Sequence, residues 1–192
     1  MNKNESKYFN TSLKMNDALI SLLNKKDFGY ITVKDICNEA HVNRSTFYLH
    51  YNSTVDLLAE VIENSNKLFN NYFNFNNAPN ALSDKIEDLY LIKDEYLIPY
   101  LSFVKDHKKI YQAAKSNPKL FGSDKYSVNV YKNIISKILD RYNVGEKYKE
   151  YIFMFYITSI NSIVLKWCEN DCDLEIEEIS NLIKGLIANA KE

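Results

Sequence analysis

The chain has 192 residues, a formal net charge of −1 at pH 7 and a hydrophobic fraction of 46%. This hydrophobic fraction argues against a disordered protein, and the near-neutral charge excludes bulk electrostatic attraction to nucleic acid. The four glycines and three prolines are too few for the turns of a β-rich protein, so the composition favours long helices.

The cysteine count and the N-terminal segment bear on the cellular compartment. The three cysteines are an odd number, and the first ten residues, MNKNESKYFN, lack the apolar core of a signal peptide. No run approaches the roughly 18 apolar residues of a membrane helix, since polar residues break the richest run, YIFMFYITSINSIVL. We therefore expect a cytoplasmic protein with reduced thiols and no membrane partner.

Apolar residues at helical spacing predict a first helix that ends near Lys25 and Lys26. Thr32, with Asp35 three residues later, is typical of the N-cap of a second helix. Asn43 can cap a third short helix, from which Phe47 and Tyr51 face the core. The residues that predict the first two helices are Leu13, Ala18, Leu19, Leu22, Leu23, Val33, Ile36, Cys37 and Ala40.

A fourth helix is predicted from Asn52 or Ser53, with Val55, Leu58, Ala59, Ile62 and Phe69 facing inward. The asparagine-rich stretch 70–83 indicates the end of this helix and a loop. Further helices are predicted at about 84–106, 107–116, 124–142, 146–169 and 174–190. Pro99 should kink or split the first of these.

Two short helices joined by about three residues are typical of a helix-turn-helix, whose second helix enters the DNA major groove. The chain has only two arginines, Arg44 and Arg141, and Arg44 lies at the start of that second helix. Arginine can donate two parallel hydrogen bonds to guanine, which lysine cannot reproduce. The alternative is that Arg44 is an ordinary surface arginine.

Residues 10–62 resemble the DNA-binding domain of TetR-type (TetR/AcrR) transcriptional regulators. The resemblance is carried by the combined spacing of Phe28-Gly29-Tyr30, Ile31-Thr32-Val33, Asp35-Ile36, Ala40-His41-Val42-Asn43, Thr46-Phe47-Tyr48, His50-Tyr51 and Leu57-Leu58. It implies an all-α fold of about nine helices, with a three-helix helix-turn-helix domain in residues 1–55. Helix four, from about residue 53, would link it to a larger helical effector-binding and dimerisation domain in residues 56–192.

The resemblance also implies which residues contact DNA. Arg44 and Ser45 match the main base-reading positions, Lys34 matches a basic position of helix two, and Leu49 could meet a thymine methyl. Phosphate contacts fall to Thr46, Tyr48 and His50. The full predicted set is Thr32, Lys34, Asn43, Arg44, Ser45, Thr46, Tyr48, Leu49, His50 and Thr54.

Two positions depart from the family pattern. His41 stands where the family has its turn glycine, which implies some strain in a left-handed residue. Thr54 replaces the lysine that begins helix four, so a charged phosphate contact is lost. We expect lower affinity and a shallower salt dependence than that lysine would give.

The last two helices are apolar over more than one face, which predicts a homodimer through a four-helix interface. A twofold dimer would bind pseudo-palindromic operator DNA. The alternative is that both helices are central helices of a monomer core. The predicted interface residues are Ile160, Ile163, Val164, Trp167, Ile179, Ile183 and Leu186.

We find no catalytic motif, and Cys168 and Cys172 lack a nearby third ligand for a metal. The sequence therefore predicts a transcriptional regulator, a repressor released by a small-molecule or protein effector, with no cofactor and no enzymatic activity. The ligand pocket is not defined by the sequence. The rival is a helical ligand- or protein-binding module without specific DNA binding, and an enzyme with an unrecognised site is a third hypothesis.

Overall fold

A computed structural model describes residues 3–72, 94–122 and 136–189. These residues form an all-α structure with no strand among them, as predicted. They contain nine helices of six residues or more, one single turn of α-helix and one 3-10 turn, Phe28–Tyr30. In chain order they are α1 (Lys3–Leu23), α2 (Val33–Ala40), α3 (Arg44–His50), α4 (Thr54–Tyr72), α5 (Asp94–Asp106), α6 (Lys108–Ser116), α7 (Pro118–Phe121), α8 (Ser136–Arg141), α9 (Glu146–Glu169) and α10 (Ile176–Asn189).

The helices predicted beyond residue 83 agree with the structure where it describes them. Residues 84–93 and 124–135, which were also predicted to be helical, lie outside the described residues. Helix α5 runs continuously through Pro99, so the expectation of a split at this proline is not met.

The chain forms two compact units. The first contains residues up to Leu68 and the segment Lys109–Phe121, and the second contains Phe69–Lys108 and the residues from Gly122 onward. Helix α4 contributes Leu57 and Val61, each at most 1% exposed, to the core of the first unit. The first unit therefore extends past residue 55, and the division at that position stays a prediction.

Local capping explains where α2 and α3 begin. The Thr32 hydroxyl accepts a hydrogen bond from the Asp35 backbone N–H at 3.2 Å, and the Asp35 carboxylate accepts one from the Thr32 backbone N–H at 2.9 Å. Asn43 caps α3 by accepting from the Thr46 backbone N–H at 2.7 Å. Both predicted caps are confirmed, and each satisfies backbone donors that a helix start leaves unpaired.

The apolar pattern predicts most, but not all, of the first core. Phe47 and Tyr51 are buried as expected. Val55 and Ala59 were predicted to face inward and are exposed, and Leu13, one of the apolar residues that predicted α1, is exposed as well. In α4 the fully buried positions are instead Leu57 and Val61, and this register turns Val55 and Ala59 toward solvent.

The turn between α2 and α3 contains the left-handed residue that the sequence predicted. His41 has φ 55° and ψ 43°, and its backbone N–H donates to the carbonyl oxygens of Asn38 and Cys37. This geometry ends α2 and redirects the chain toward α3. A residue with a Cβ is strained in this conformation, whereas glycine is not.

We expect His41→Gly to raise the free energy of unfolding by about 0.5–1 kcal/mol, because it relieves this strain at an exposed position. Urea denaturation would measure the change. His41→Ala is the matched control, since it removes the imidazole but keeps the Cβ. Equal stability of the Gly and Ala variants would contradict a strained turn.

In the second unit, α5, α9 and α10 pack against one another. The contact is apolar at Leu101, Val104 and Val164, all fully buried, and polar where the Tyr100 hydroxyl donates to Asn161 Oδ1 at 3.0 Å. Trp167 also lies in this core, and its Nε1 donates to the Leu174 carbonyl at 3.0 Å.

This packing revises the predicted dimer interface. Trp167 is 2% exposed and Ile183 is 0% exposed, and Val164 and Ile179 are buried as well. These four side chains are covered by their own chain, as the monomer-core alternative held, so they cannot supply the surface of an interface. Of the seven predicted residues, Ile160 and Ile163 are partly buried and Leu186 is 51% exposed.

Helix α9 has an apolar face that the second unit leaves open. By length and composition it could cross a membrane, although only 22% of its most apolar 18-residue window is buried. From the sequence we predicted no membrane helix, because polar residues interrupt the most apolar run. One such helix does not by itself indicate a membrane span, because apolar helices of soluble proteins can have the same length and composition. The exposed large hydrophobic side chains of α9 are Tyr148, Tyr151, Met154 and Phe155.

Candidate nucleic-acid interface

Helices α2 and α3 and the turn at His41 form a helix-turn-helix. The second helix, α3, has seven residues, of which Phe47 alone is fully buried. Phe47 anchors α3 to the core, while its other side chains reach the surface to different degrees. Tyr48 is 50% exposed and Leu49 is 76% exposed. A helix with one buried anchor and an exposed polar face suits the major groove.

Two unpaired cations lie on this surface. Lys34 of α2 and Arg44 of α3 are both exposed, and neither forms an ion pair with any described residue. By contrast, Lys25 pairs with Glu39 at 3.1 Å and Lys26 pairs with the capping residue Asp35 at 2.9 Å. Local ion pairing thus leaves Lys34 and Arg44 as the cations of the helix-turn-helix available to a ligand.

Several predicted DNA-contacting hydroxyls already donate their protons within the protein. Thr32 donates to Asp35 Oδ2 at 2.8 Å, and Ser45 and Thr46 donate to Asn43 Oδ1 at 2.6 and 2.8 Å. A phosphate oxygen can only accept hydrogen bonds. While the caps hold, these three hydroxyls cannot donate to phosphate, which differs from the predicted role of Thr46. Because Asn43 Oδ1 accepts these hydrogen bonds, Asn43 can offer DNA only its Nδ2 group as a donor.

His50 ends α3 in a partly buried position. Its ring stacks on Tyr8 of α1 with centroids 3.8 Å apart, and its Nδ1 is buried without a partner among the described residues. Burial lowers the pKa of His50 below its ordinary value, against the opposing effect of the Glu60 charge. The ring is therefore neutral near pH 7, and a phosphate contact from it would have to use Nε2.

The start of α4 is capped as predicted. Ser53 Oγ accepts from the Asp56 backbone N–H at 3.2 Å, and the Asp56 carboxylate accepts from the Asn52 backbone N–H at 3.1 Å. Of the two predicted caps, Ser53 is the one used. Thr54, the first residue of α4, is partly exposed beside this cap. It has no charge to offer a phosphate.

A polar cluster behind α3 was not predicted from the sequence. Glu60 Oε1 accepts hydrogen bonds from Ser12 Oγ at 2.6 Å, Asn16 Nδ2 at 3.0 Å and the Tyr51 hydroxyl at 3.0 Å. Ser12 Oγ and the Tyr51 hydroxyl are also 2.7 Å apart. We call Ser12, Asn16, Tyr51 and Glu60 the Glu60 cluster. It joins α1, the end of α3 and α4.

In the Glu60 cluster, only the Glu60 side chain carries a charge. Burial alone would raise the pKa of Glu60, but the hydrogen bonds from Ser12, Asn16 and Tyr51 hold it below its ordinary value. Burial raises the pKa of Tyr51 to about 12. At neutral pH, Glu60 is therefore a carboxylate and Tyr51 a neutral phenol, which gives a charge-assisted hydrogen bond.

The described residues contain no group of three or more His, Cys, Asp or Glu side chains that could hold a metal ion. The three cysteines are unpaired and buried. Burial raises the pKa values of all three thiols, with that of Cys168 at about 11. Raised pKa values are typical of unreactive structural cysteines.

Comparisons with known proteins agree with this geometry. Residues 17–61 match the family described as bacterial regulatory proteins, tetR family, and residues 94–189 match the transcriptional regulator C-terminal region of the same group. The chain is 24% identical over 186 residues to the uncharacterized HTH-type transcriptional regulator YxbF of Bacillus subtilis (strain 168). The match covers 91% of this chain but 44% of YxbF, so the chain spans less than half of that relative.

Solved structures share the fold. A TetR-like regulator from Rhodococcus sp. RHA1 superposes with a TM-score of 0.62 at 18% identity, covering 92% of each chain. The fatty acid degradation regulator FadR from Bacillus halodurans gives 0.58 at 16% identity, covering 92% of this chain and 93% of that one. A TetR regulator from Streptococcus agalactiae 2603V gives 0.57 at 21% identity, covering 96% and 97%. With a helix-turn-helix at one end and a matching C-terminal region at the other, the chain belongs to the TetR family of bacterial transcriptional regulators.

Proposed function

We propose that this protein is a sequence-specific, double-stranded-DNA-binding transcriptional regulator. The observation that carries the proposal is α3, which has one buried anchor and presents an unpaired arginine at its exposed start. Family membership supports the same function. The rival, a binding module without specific DNA recognition, gives no reason for an unpaired Arg44 on this face.

The exposed side chains contact different parts of the DNA. Arg44 reads guanine through two parallel hydrogen bonds, and Leu49 contacts a thymine methyl. Lys34 and the Tyr48 hydroxyl hold backbone phosphates, since neither is committed to a cap. The capping residues fix the starts of α2 and α3; they are Thr32, Asn43, Ser45 and Thr46. They contact DNA only through groups that the caps do not use. These groups are the three hydroxyl oxygens as acceptors and the Asn43 Nδ2 group as a donor.

The regulatory part of the proposal rests on the family. We assign the protein as a cytoplasmic repressor, released from its operator when a small-molecule or protein effector binds the C-terminal domain, and not as an enzyme.

A homodimer completes the proposal, because one twofold molecule can bind two half-sites of a pseudo-palindrome. The open face of α9 supports it. Phe155 is 55% exposed on α9, and Leu182 and Leu186 are exposed on α10. These residues, with Tyr151 and Met154, form what we call the open apolar face. Large exposed apolar surfaces mark interaction sites in soluble proteins.

Selection of bound duplexes from a random pool, followed by a mobility-shift titration, tests the proposed function. We expect enrichment of a pseudo-palindromic sequence bound at least 10³-fold more tightly than a scrambled duplex. Failure to enrich any sequence, with a folded protein, would favour the binding module without DNA recognition.

Thr54→Lys should tighten binding to every DNA sequence and steepen the salt dependence by about one phosphate contact in each subunit, or about 1.8 in the slope of log K against log salt for the proposed dimer. The physical reason is the cation added beside the start of α4. Fluorescence anisotropy at several salt concentrations would measure the slope. Asn170→Lys, which adds the same charge in the second unit, is the control. If both variants have the wild-type slope, α4 does not begin at the DNA backbone.

A further inference from the structure

The orientation of helix α3 depends on a small number of contacts, among them Phe47 in the core and the His50 ring stacked on Tyr8. Phe47 is its one fully buried side chain, and a single apolar anchor resists sliding but not rotation, because apolar packing is non-directional. The hydrogen bonds of Asn43 fix the start of the helix. Tyr51 follows α3 directly, and its backbone N–H continues the hydrogen bonding of the helix by donating to the Phe47 carbonyl at 3.0 Å. The position of Tyr51 and the orientation of α3 are therefore coupled.

Tyr51 is where the Glu60 cluster meets α3. Its side chain is 5% exposed, and those of Ser12 and Asn16 are 9% and 6% exposed. Hydrogen bonds to a carboxylate are directional and stronger than those between neutral groups, so a shift of Tyr51 would weaken one of the three hydrogen bonds that the partly buried Glu60 Oε1 accepts. Asn64 Nδ2 adds support by donating to Asn16 Oδ1 at 3.3 Å.

We propose that Tyr51 and Glu60 are positioning residues for DNA recognition, which set the angle of α3 through the hydrogen bond from the Tyr51 hydroxyl to the Glu60 carboxylate. Neither side chain touches DNA in this role. The inference rests on the proposed function and adds to it the element that keeps Arg44 aligned with base edges. Bidentate readout depends on such alignment, whereas phosphate contacts by flexible side chains tolerate a small rotation.

The test is the specificity ratio, the affinity for the duplex selected by the wild-type protein divided by that for its scrambled version. Tyr51→Phe removes one oxygen atom, and Glu60→Gln replaces the carboxylate by a weaker acceptor of the same shape. We expect Tyr51→Phe to lower the ratio about tenfold, and Glu60→Gln to lower it in the same direction. The scrambled duplex should bind with nearly wild-type affinity and salt slope.

Val61→Ala is the matched control. Val61 follows Glu60 on α4, is 1% exposed and has no polar side-chain atom, so its loss destabilises the same core without touching the cluster. All variants are compared at a temperature where circular dichroism shows them folded. If Tyr51→Phe does not fold, Ser12→Ala replaces it, because it removes another donor to the same oxygen; a reduced ratio is again the expected result.

The outcomes separate the two proposals. An unchanged ratio in Tyr51→Phe, or an equal loss in Val61→Ala, would overturn the positioning role and leave the proposed function standing. A wild-type protein that selects no sequence would overturn the proposed function and this inference together. A lowered ratio in both cluster variants, with the ratio of Val61→Ala unchanged, supports the inference.

Discussion

Arg44→Ala is expected to abolish the preference of the protein for its selected operator while leaving the fold intact. The side chain is exposed and forms no ion pair with a described residue, so its removal should cost little stability. A lost bidentate contact costs about 1–3 kcal/mol. A twofold dimer loses two such contacts, so the expected loss is about 2–6 kcal/mol.

Arg44→Lys separates charge from geometry. Lysine keeps the positive charge but cannot form the paired hydrogen bonds, so binding to scrambled DNA should persist while the operator preference falls. Competition mobility shifts with both duplexes would measure this. An operator preference that survives in Arg44→Ala would show that Arg44 is an ordinary surface arginine.

Phe155→Glu and Leu186→Glu are expected to convert the protein from a dimer to a folded monomer. Both side chains are more than half exposed in the single chain, so a carboxylate at either position remains solvated in the monomer. In a twofold interface, each substitution would bury two charges against an apolar surface, which costs several kcal/mol. Sedimentation equilibrium at micromolar concentration would report the mass.

The loss of the dimer should also weaken operator binding, even with Arg44 untouched. Two linked half-site contacts exceed one by about 10²–10⁴-fold in affinity, and a monomer forfeits this gain. Asn170→Glu, an exposed change off the open apolar face, is the control. A wild-type protein that sediments as a monomer would refute the homodimer. A charge at Ile183, by contrast, should unfold the protein, because that side chain is fully buried in its own chain.

Local signals explain what the sequence predicted correctly. Thr32 and Asn43 each cap a helix by accepting a hydrogen bond from the backbone N–H three residues later. Phe47 and Tyr51 share a face because they are four residues apart. His41 was identified as a left-handed residue from its place in a spaced motif. In each case, the physical cause and the residues concerned lie within one short segment.

Contacts between distant segments explain what was missed. Ser12 and Glu60 are 48 residues apart, and no periodicity links a serine on α1 to a glutamate on α4. The available signal was Tyr51, since a buried hydroxyl needs a partner. A wide apolar arc predicted that the last two helices are covered on several sides. It could not show whether a residue such as Val164 is covered by its own chain or by a second copy.

The cap of α3 has a consequence for the base sequence of the operator. Because the Ser45 hydroxyl donates to Asn43 Oδ1 in the cap, it offers DNA an acceptor as long as this hydrogen bond is kept. In the major groove, the base-edge donors are the exocyclic amino groups of adenine and cytosine. In the proposed readout, Arg44, which only donates, pairs with guanine. The two neighbouring side chains have opposite hydrogen-bonding sense, so the proposed readout favours half-sites in which the guanine at Arg44 lies beside a base pair whose adenine or cytosine amino group faces Ser45.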